Sequence, residues 1–147
     1  MKVAKFGGSS LAGSETLKKV KEIVEADEER RVIVVSAPGK RFSDDNKVTD
    51  LLYICHAHIK YMVKYDDIWN DIASRYEEMD RECGLSGNIV KELEKVRESF
   101  SKKTSVDEIV SRGEYLNARI IAEYLGFDFV DSAEWLHFRN DGTVDFE

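Results

Sequence analysis

Two hydrophobic periods alternate along the chain. At the amino terminus Lys2-Val3-Ala4-Lys5-Phe6 is a short run that stops at Gly7-Gly8 and predicts a strand. From about Ser14, the residues Leu17, Val20, Ile23 and Val24 recur at helical spacing, with Ser14 suited to the N-cap. The charged run 25–31 ends that helix at the surface. Arg31-Val32-Ile33-Val34-Val35-Ser36 then sets four β-branched residues in a row, the pattern of a parallel strand buried on both faces. Strand, helix and strand in this order form a βαβ unit, for which a right-handed crossover is expected.

The period then changes. Ala37-Pro38-Gly39-Lys40 breaks the second strand, and polar residues continue as a loop to about Lys47. One apolar stripe follows on Val48, Leu51, Leu52, Cys55, Ile59, Met62 and Val63, and a second on Ile68, Ile72, Tyr76, Met79 and Cys83. Gly84 and Gly87 punctuate the next turn, and a third stripe uses Ile89, Val90, Leu93, Val96 and Phe100. Thr104 or Ser105 restarts a helix carrying Ile109, Val110, Leu116, Ile120, Ile121, Tyr124 and Leu125, and Gly126 ends it. Phe127-Asp128-Phe129-Val130-Asp131 reads as a third strand, and 138–147 as a short strand pair or a frayed end. The order predicts an α/β fold, a mainly parallel sheet with helices on both faces and a helical insertion over about 48–103. Three or four strands make a small sheet for so much helix, so the sheet is expected to be incomplete.

Composition narrows the function classes. The 147 residues suit one domain with a real core, at 42% hydrophobic and 35% charged with one Pro. A net charge of -7 argues against nucleic-acid or anionic-membrane binding. The charge is uneven: residues 1–50 carry 10 Lys+Arg against 9 Asp+Glu, so an anionic ligand is expected near the amino-terminal third. No stretch reaches the roughly 18 apolar residues of a membrane helix, and the first residues have no signal-peptide core. Cys55 and Cys83 lack metal-ligand spacing and read as reduced thiols of a cytoplasmic protein.

Four segments carry candidate chemistry. In Lys5-Phe6-Gly7-Gly8-Ser9-Ser10-Leu11 a strand delivers a lysine, two glycines and two hydroxyls just before a helix, which suits polyphosphate. It is neither a Walker A loop nor a dinucleotide fingerprint, and the same residues also suit an ordinary glycine-rich turn. Ser36-Ala37-Pro38-Gly39-Lys40 ends the second strand, so both loops should open on the same sheet edge; it also suits a plain βα turn. In Val48-Thr49-Asp50-Leu51-Leu52, Thr49 can cap a helix, aim a hydroxyl at a substrate, or both. In Ser111-Arg112-Gly113-Glu114 a mid-helix glycine costs about 1 kcal/mol relative to Ala, which suggests close approach of a backbone or ligand. Glu114 could hold an ammonium and Arg112 a carboxylate, or both could belong to a solvated helical turn. His56 and His58 face different directions on a helix, and no metal site is expected.

These segments, in this order, resemble aspartokinases of the amino acid kinase superfamily. The opening Val3-Ala4-Lys5-Phe6-Gly7-Gly8-Ser9-Ser10-Leu11 is similar to the family's amino-terminal signature, and Val34-Val35-Ser36-Ala37, Val48–Leu52 and Ser111–Glu114 follow as in the family. The resemblance implies the amino-terminal portion of the amino acid kinase (carbamate kinase-like) fold, and phosphorylation of the L-aspartate side-chain carboxylate by ATP with Mg²⁺ held mainly by the nucleotide. The product, 4-phospho-L-aspartate, leads to lysine, threonine and methionine. It further implies Lys5 as the catalytic cation, Gly7, Gly8 and Ser9 with Lys5 as phosphate-binding, and Ser36, Thr49, Glu114 and, less centrally, Arg112 as aspartate-binding.

The chain departs from the family in length. Nothing after Asp131 supplies a second Gly-rich nucleotide loop or a regulatory domain. Residues 1–147 are therefore expected to be the substrate-side part of a truncated kinase domain, inactive alone and homo-oligomeric in its full form. A glutamate- or acetylglutamate-type kinase, and a non-catalytic binding or assembly module, remain as alternatives.

Overall fold

The computed structural model describes residues 1–145; Phe146 and Glu147, the end of the tail discussed above, lie outside the described residues. The chain runs β1 (Lys2–Phe6), a 3₁₀ turn (Gly8–Leu11), α1 (Ser14–Glu25), β2 (Arg30–Val35), α2 (Val48–Lys60), α3 (Asp66–Glu82), α4 (Ile89–Ser99), α5 (Val106–Leu125), a second 3₁₀ turn (Ser132–Glu134), β3 (His137–Phe138) and β4 (Val144–Asp145). β1 and β2 pair in parallel, with Val3 opposite Val32 and Phe6 opposite Val35, and a register irregularity between Lys2 and Val3. Their carboxyl ends therefore stop side by side, as the sequence predicts. β3 and β4 form an antiparallel hairpin, so the tail is a strand pair as far as it is described.

One core joins the elements. Leu11, Leu17 and Val20 meet Leu52 and Cys55 of α2, Ile72, Tyr76 and Met79 of α3, and Ile109, Leu116, Ile120 and Ile121 of α5. These are the residues of the helical stripes, and burying each large side chain contributes roughly 1.5–3 kcal/mol. Trp69 and Phe100 pack edge to face at 5.6 Å, fastening α3 to the end of α4. Ser105 caps α5 by accepting the Glu108 N–H, and Gly126 ends it in the left-handed conformation at φ 69°.

Several expectations are corrected. β2 is not buried on both faces: Val32 and Val34 are 40% and 44% exposed, on the same face as exposed Val3. With period-2 alternation, Ala4, Phe6, Ile33 and Val35 face the helices and the valines of the other parity face outward. The helices thus cover one face of the sheet, not two. Residues 127–131 are not a strand. Phe129 turns onto α5, where it meets the Tyr115 ring edge to face at 5.5 Å and lies 4.0 Å from the Arg119 guanidinium. A cleft of about 180 Å³ separates 127–130 from β2, so no ladder forms. Ser14 is the first helical residue and not the cap; its hydroxyl donates to Glu82, while Gly13 caps α1 together with Thr16. Thr49 likewise sits inside α2, whose N-cap is Lys47. Met62 and Val63 leave the apolar stripe and are exposed, because α2 ends at Lys60 and Met62 takes a left-handed φ of 56°.

Candidate functional site

The two glycine-bearing loops meet at the carboxyl ends of β1 and β2. The Gly39 N–H donates to the Gly8 carbonyl at 2.8 Å. The contact leaves no room for side chains. A Cβ on Gly39 would lie 2.7 Å from the Gly8 carbonyl carbon and oxygen, and a Cβ on Gly8 would lie 2.9 Å from the Ala37 oxygen. Gly7 differs: nothing among the described residues lies within 4 Å of where its Cβ would be, and its backbone is ordinary extended chain at φ -83°. The cradle is therefore closed at Gly8 and open at Gly7, with exposed Ser9 beside it in the 3₁₀ turn.

α5 completes the junction through its glycine. A Cβ on Gly113 would lie 2.9 Å from the Ala37 Cβ and 3.1 Å from Leu52 Cδ1. What approaches this mid-helix glycine is neither a backbone nor a ligand but side chains, the Ala37 methyl from the loop after β2 and Leu52 and Val48 from α2. One turn on, Asn117 is fully buried and donates from Nδ2 to the Ser36 carbonyl at 2.7 Å; its Oδ1 has no partner among the described residues. The Val48 N–H donates to the Pro38 carbonyl at 3.2 Å, which sets half-buried Thr49, the next residue, at the same junction. All four segments singled out in the sequence thus converge. The residues differ in what they do there. Lys5 is exposed on the open face of the sheet, with no ion pair or hydrogen bond among the described residues. Glu114 is exposed on α5. Arg112 bends onto its own helix, donating to Ser111 Oγ at 3.0 Å and lying 5.0 Å from the Tyr115 ring centre.

The loop after β2 is held by residues the sequence reading passed over. Arg75 of α3 is 3% exposed. Its Nη2 donates to the carbonyls of Gly39 at 2.6 Å and Ala12 at 3.1 Å, and its Nη1 to that of Asn46 at 3.0 Å. Asp45 balances the charge, 3.2 Å from Arg75 Nη1, and also takes a two-pronged contact from Arg41 at 2.8 and 3.0 Å. The Arg41 hydrogen bonds hold the Asp45 carboxyl well below the usual carboxylate range against the opposing effect of burial. Burial, and then the like charge of Arg41, lower the Arg75 pKa. Next to Arg75, Tyr76 is buried and donates to the Gly113 carbonyl at 2.8 Å; burial raises its phenol well above its ordinary value. The available signals were a charged residue beside the α3 stripe and an asparagine four residues from Gly113 on the apolar face of α5.

Among the described residues there is no group of three or more His, Cys, Asp or Glu that could hold a metal ion. His58 Nδ1 lies 2.7 Å from the Lys64 carbonyl, in a local turn. Among the described residues no helix is long and apolar enough to cross a membrane. Both cysteines are free thiols.

Known proteins resemble this arrangement. The chain is 35% identical to aspartokinase 3 of Bacillus subtilis over 97% of its own length and 32% of that protein. Its fold matches the crystal structure of Clostridium acetobutylicum aspartate kinase with a TM-score of 0.93 and 47% identity, over 97% of this chain and 33% of the other. It also matches E. coli aspartokinase III in complex with lysine and aspartate, with a TM-score of 0.65 and 25% identity, over 84% of this chain and 28% of the other. The chain thus spans about a third of the length of these relatives. The sequence profile of the amino acid kinase family matches residues 1–142. With that match over nearly every residue and the same fold in solved relatives, this chain belongs to the amino acid kinase family.

Proposed function

We propose that this chain carries the phosphate- and acceptor-side part of an aspartate kinase, which transfers the γ-phosphoryl group of ATP to the side-chain carboxylate of L-aspartate. The observation that carries the reading is the convergence of Gly8 and Ser9, Ser36–Gly39, Val48 and Gly113 on one sheet edge. In the reaction a carboxylate oxygen forms a bond to phosphorus, the bond to the β-phosphate oxygen breaks, and ADP leaves. The acceptor is already an anion, so no protein base or nucleophile is needed; the work is alignment and charge neutralisation.

The open backbone at Gly7 admits phosphate oxygens to within hydrogen-bond reach, which a side chain there would block. Ser9 adds a hydroxyl donor, and Lys5 supplies the full positive charge for the transferring group. Glu114 pairs with the substrate ammonium, while the Ser36 and Thr49 hydroxyls orient its carboxylates; Arg112, engaged on its own helix, is the weaker candidate. Held mainly by the nucleotide, Mg²⁺ would supply neutralisation of the phosphate charge, with Lys5 as the protein's own cation beside it. Residues 48–103 act as a helical insertion that buttresses these segments. The setting is a cytoplasmic homo-oligomer at the committed step toward lysine, threonine and methionine.

The test replaces the matching third of the Clostridium acetobutylicum enzyme, 47% identical, with this chain. Acyl phosphate is trapped with hydroxylamine in the presence of L-aspartate or L-glutamate. Aspartate-dependent product is expected, falling about 10²–10³-fold in Lys5→Met, the size of effect seen when a charge-stabilising donor is removed. Preference for glutamate, or an unchanged rate in Lys5→Met, overturns the proposal.

A further inference from the structure

We propose that Arg75 is the positioning residue of the two-loop cradle, fixing the loops after β1 and β2 and the start of α2 from a helix that contributes no ligand. The three carbonyls it holds lie at three strategic points. Ala12 closes the turn that follows Gly8 and Ser9; Gly39 is the residue whose amide is bonded to Gly8; Asn46 comes just before Lys47, the cap of α2, and Thr49. Sequence separations of 63, 36 and 29 residues are spanned by one planar group.

The chemistry of the group matters. These carbonyls lie in a part-buried to buried setting, and a carbonyl withdrawn from water needs a donor. A guanidinium presents its donors in a rigid plane, so the positions of three acceptors are set relative to one another. A lysine ammonium could satisfy one or two of them but fixes no common plane. Asp45, carried on the same loop, makes the buried charge tolerable and adds a fourth point of attachment. No atom of Arg75 reaches into the open space at Gly7, so its influence on a ligand passes through the backbone of Gly39 and Gly8. The inference rests on the proposed function only for what the cradle holds.

The test begins with the chain itself. Amide hydrogen exchange is measured by NMR in the native protein, Arg75→Lys and Arg75→Met. The Gly39 and Val48 amides, bonded to Gly8 and Pro38, should exchange at least about tenfold faster in both variants, while amides of the β1–β2 ladder and α5 change less than about twofold. Equal acceleration everywhere would mean that Arg75 contributes only to global stability, and no acceleration would mean that the loops hold themselves; either overturns the proposal. If Arg75→Met does not fold, Arg75→Lys decides. In an active hybrid enzyme, Arg75→Lys should lower kcat about tenfold at an unchanged folded fraction, and an unaltered kcat overturns the catalytic consequence. A hybrid inactive before any substitution refutes the proposed function instead, and the exchange pattern still decides the positioning.

Discussion

Gly39 and Gly7 differ in the space around them, and exchanging each for alanine separates stability from ligand access. In Gly39→Ala the new Cβ starts 2.7 Å from the Gly8 carbonyl carbon and oxygen and 3.0 Å from the Ser9 nitrogen. These neighbours are backbone, so no side chain can swing away. To reach ordinary contact at 3.4 Å, the loops must part by about 0.7 Å. Overpacking of this kind costs about 1–3 kcal/mol. The parting also weakens the Gly39–Gly8 hydrogen bond, worth about 0.5–1.5 kcal/mol. Against this, alanine restricts the unfolded chain and returns about 0.4–1 kcal/mol. The expected net loss is about 1–3 kcal/mol, a urea midpoint lowered by roughly 1 M at a slope of about 1–3 kcal/mol per M. Gly7→Ala meets nothing within 4 Å at a φ of -83°, so only the unfolded-state gain remains and its midpoint should hold or rise. In the hybrid kinase the ranking reverses its meaning: Gly7→Ala keeps its stability and loses phosphoryl transfer, because its methyl occupies the space proposed for phosphate. A Gly39→Ala protein as stable as the parent would refute the close-approach argument, and a fully active Gly7→Ala would refute the placement of the phosphate.

Other outcomes follow from single interactions. The folded-state pKa of Asp45 is depressed, so its contribution to stability is complete above about pH 5 and fades as pH falls through the unfolded value of about 3.9. Urea midpoints recorded from pH 6 to pH 2.5 should fall less steeply in Asp45→Asn, and parallel curves would contradict this. Tyr76→Phe removes the donor to Gly113 and should cost about 0.5–1.5 kcal/mol by chemical denaturation, with no change in the β1–β2 amides. Burial pushes the Cys55 thiol up to about 12, so it should resist a disulfide reagent at pH 8 until denaturant is added; rapid labelling of both thiols in the folded protein would show that the core opens. Val34→Thr on the exposed face should change the unfolding free energy by less than about 0.5 kcal/mol, and a loss above about 1.5 kcal/mol would mean that this face is covered.

What could be read from the sequence was set by local rules. The βαβ opening, four later helices, the Gly126 end of α5 and its start at one of two adjacent hydroxyl residues all follow from periodicity and backbone geometry; a crowded Gly113 was also legible, but not that side chains crowd it. The cap positions at Ser14 and Thr49 and the end of α2 before Met62 were missed by a residue or two of local geometry, but the larger failures share one cause: they depended on what lies opposite in space. Four β-branched residues at 32–35 announce a strand, but only the partner layer decides which valines are covered. Phe127–Asp131 has strand composition, yet a strand exists only where a ladder partner is within reach, and Phe129 found Tyr115 and Arg119 instead. Within the site, all four chemically suggestive segments were visible as motifs, because glycines, prolines and hydroxyls mark themselves. Arg75 and Asn117 were not, because a buried polar residue is recognised by its partners, and theirs lie 29 to 81 residues away; Asp45 pairs locally with Arg41 but is buried only because Arg75 comes to it from α3.

The distances in sequence also set an order of assembly. β1 and β2 are joined by one helix, and their ladder closes a short loop of chain. The junction at Gly8, Gly39 and Gly113 needs α3 to deliver Arg75 and α5 to deliver Asn117, the latter 81 residues from Ser36. Closing longer loops costs more entropy before any contact compensates for it, so the βαβ unit should form early and the junction late. Pulse-labelling during refolding should therefore protect ladder amides before the amide of Gly39. A chain whose last helix has not docked would hold both glycine loops and yet lack the geometry between them, so competence to bind a ligand would arrive only with the final step of folding.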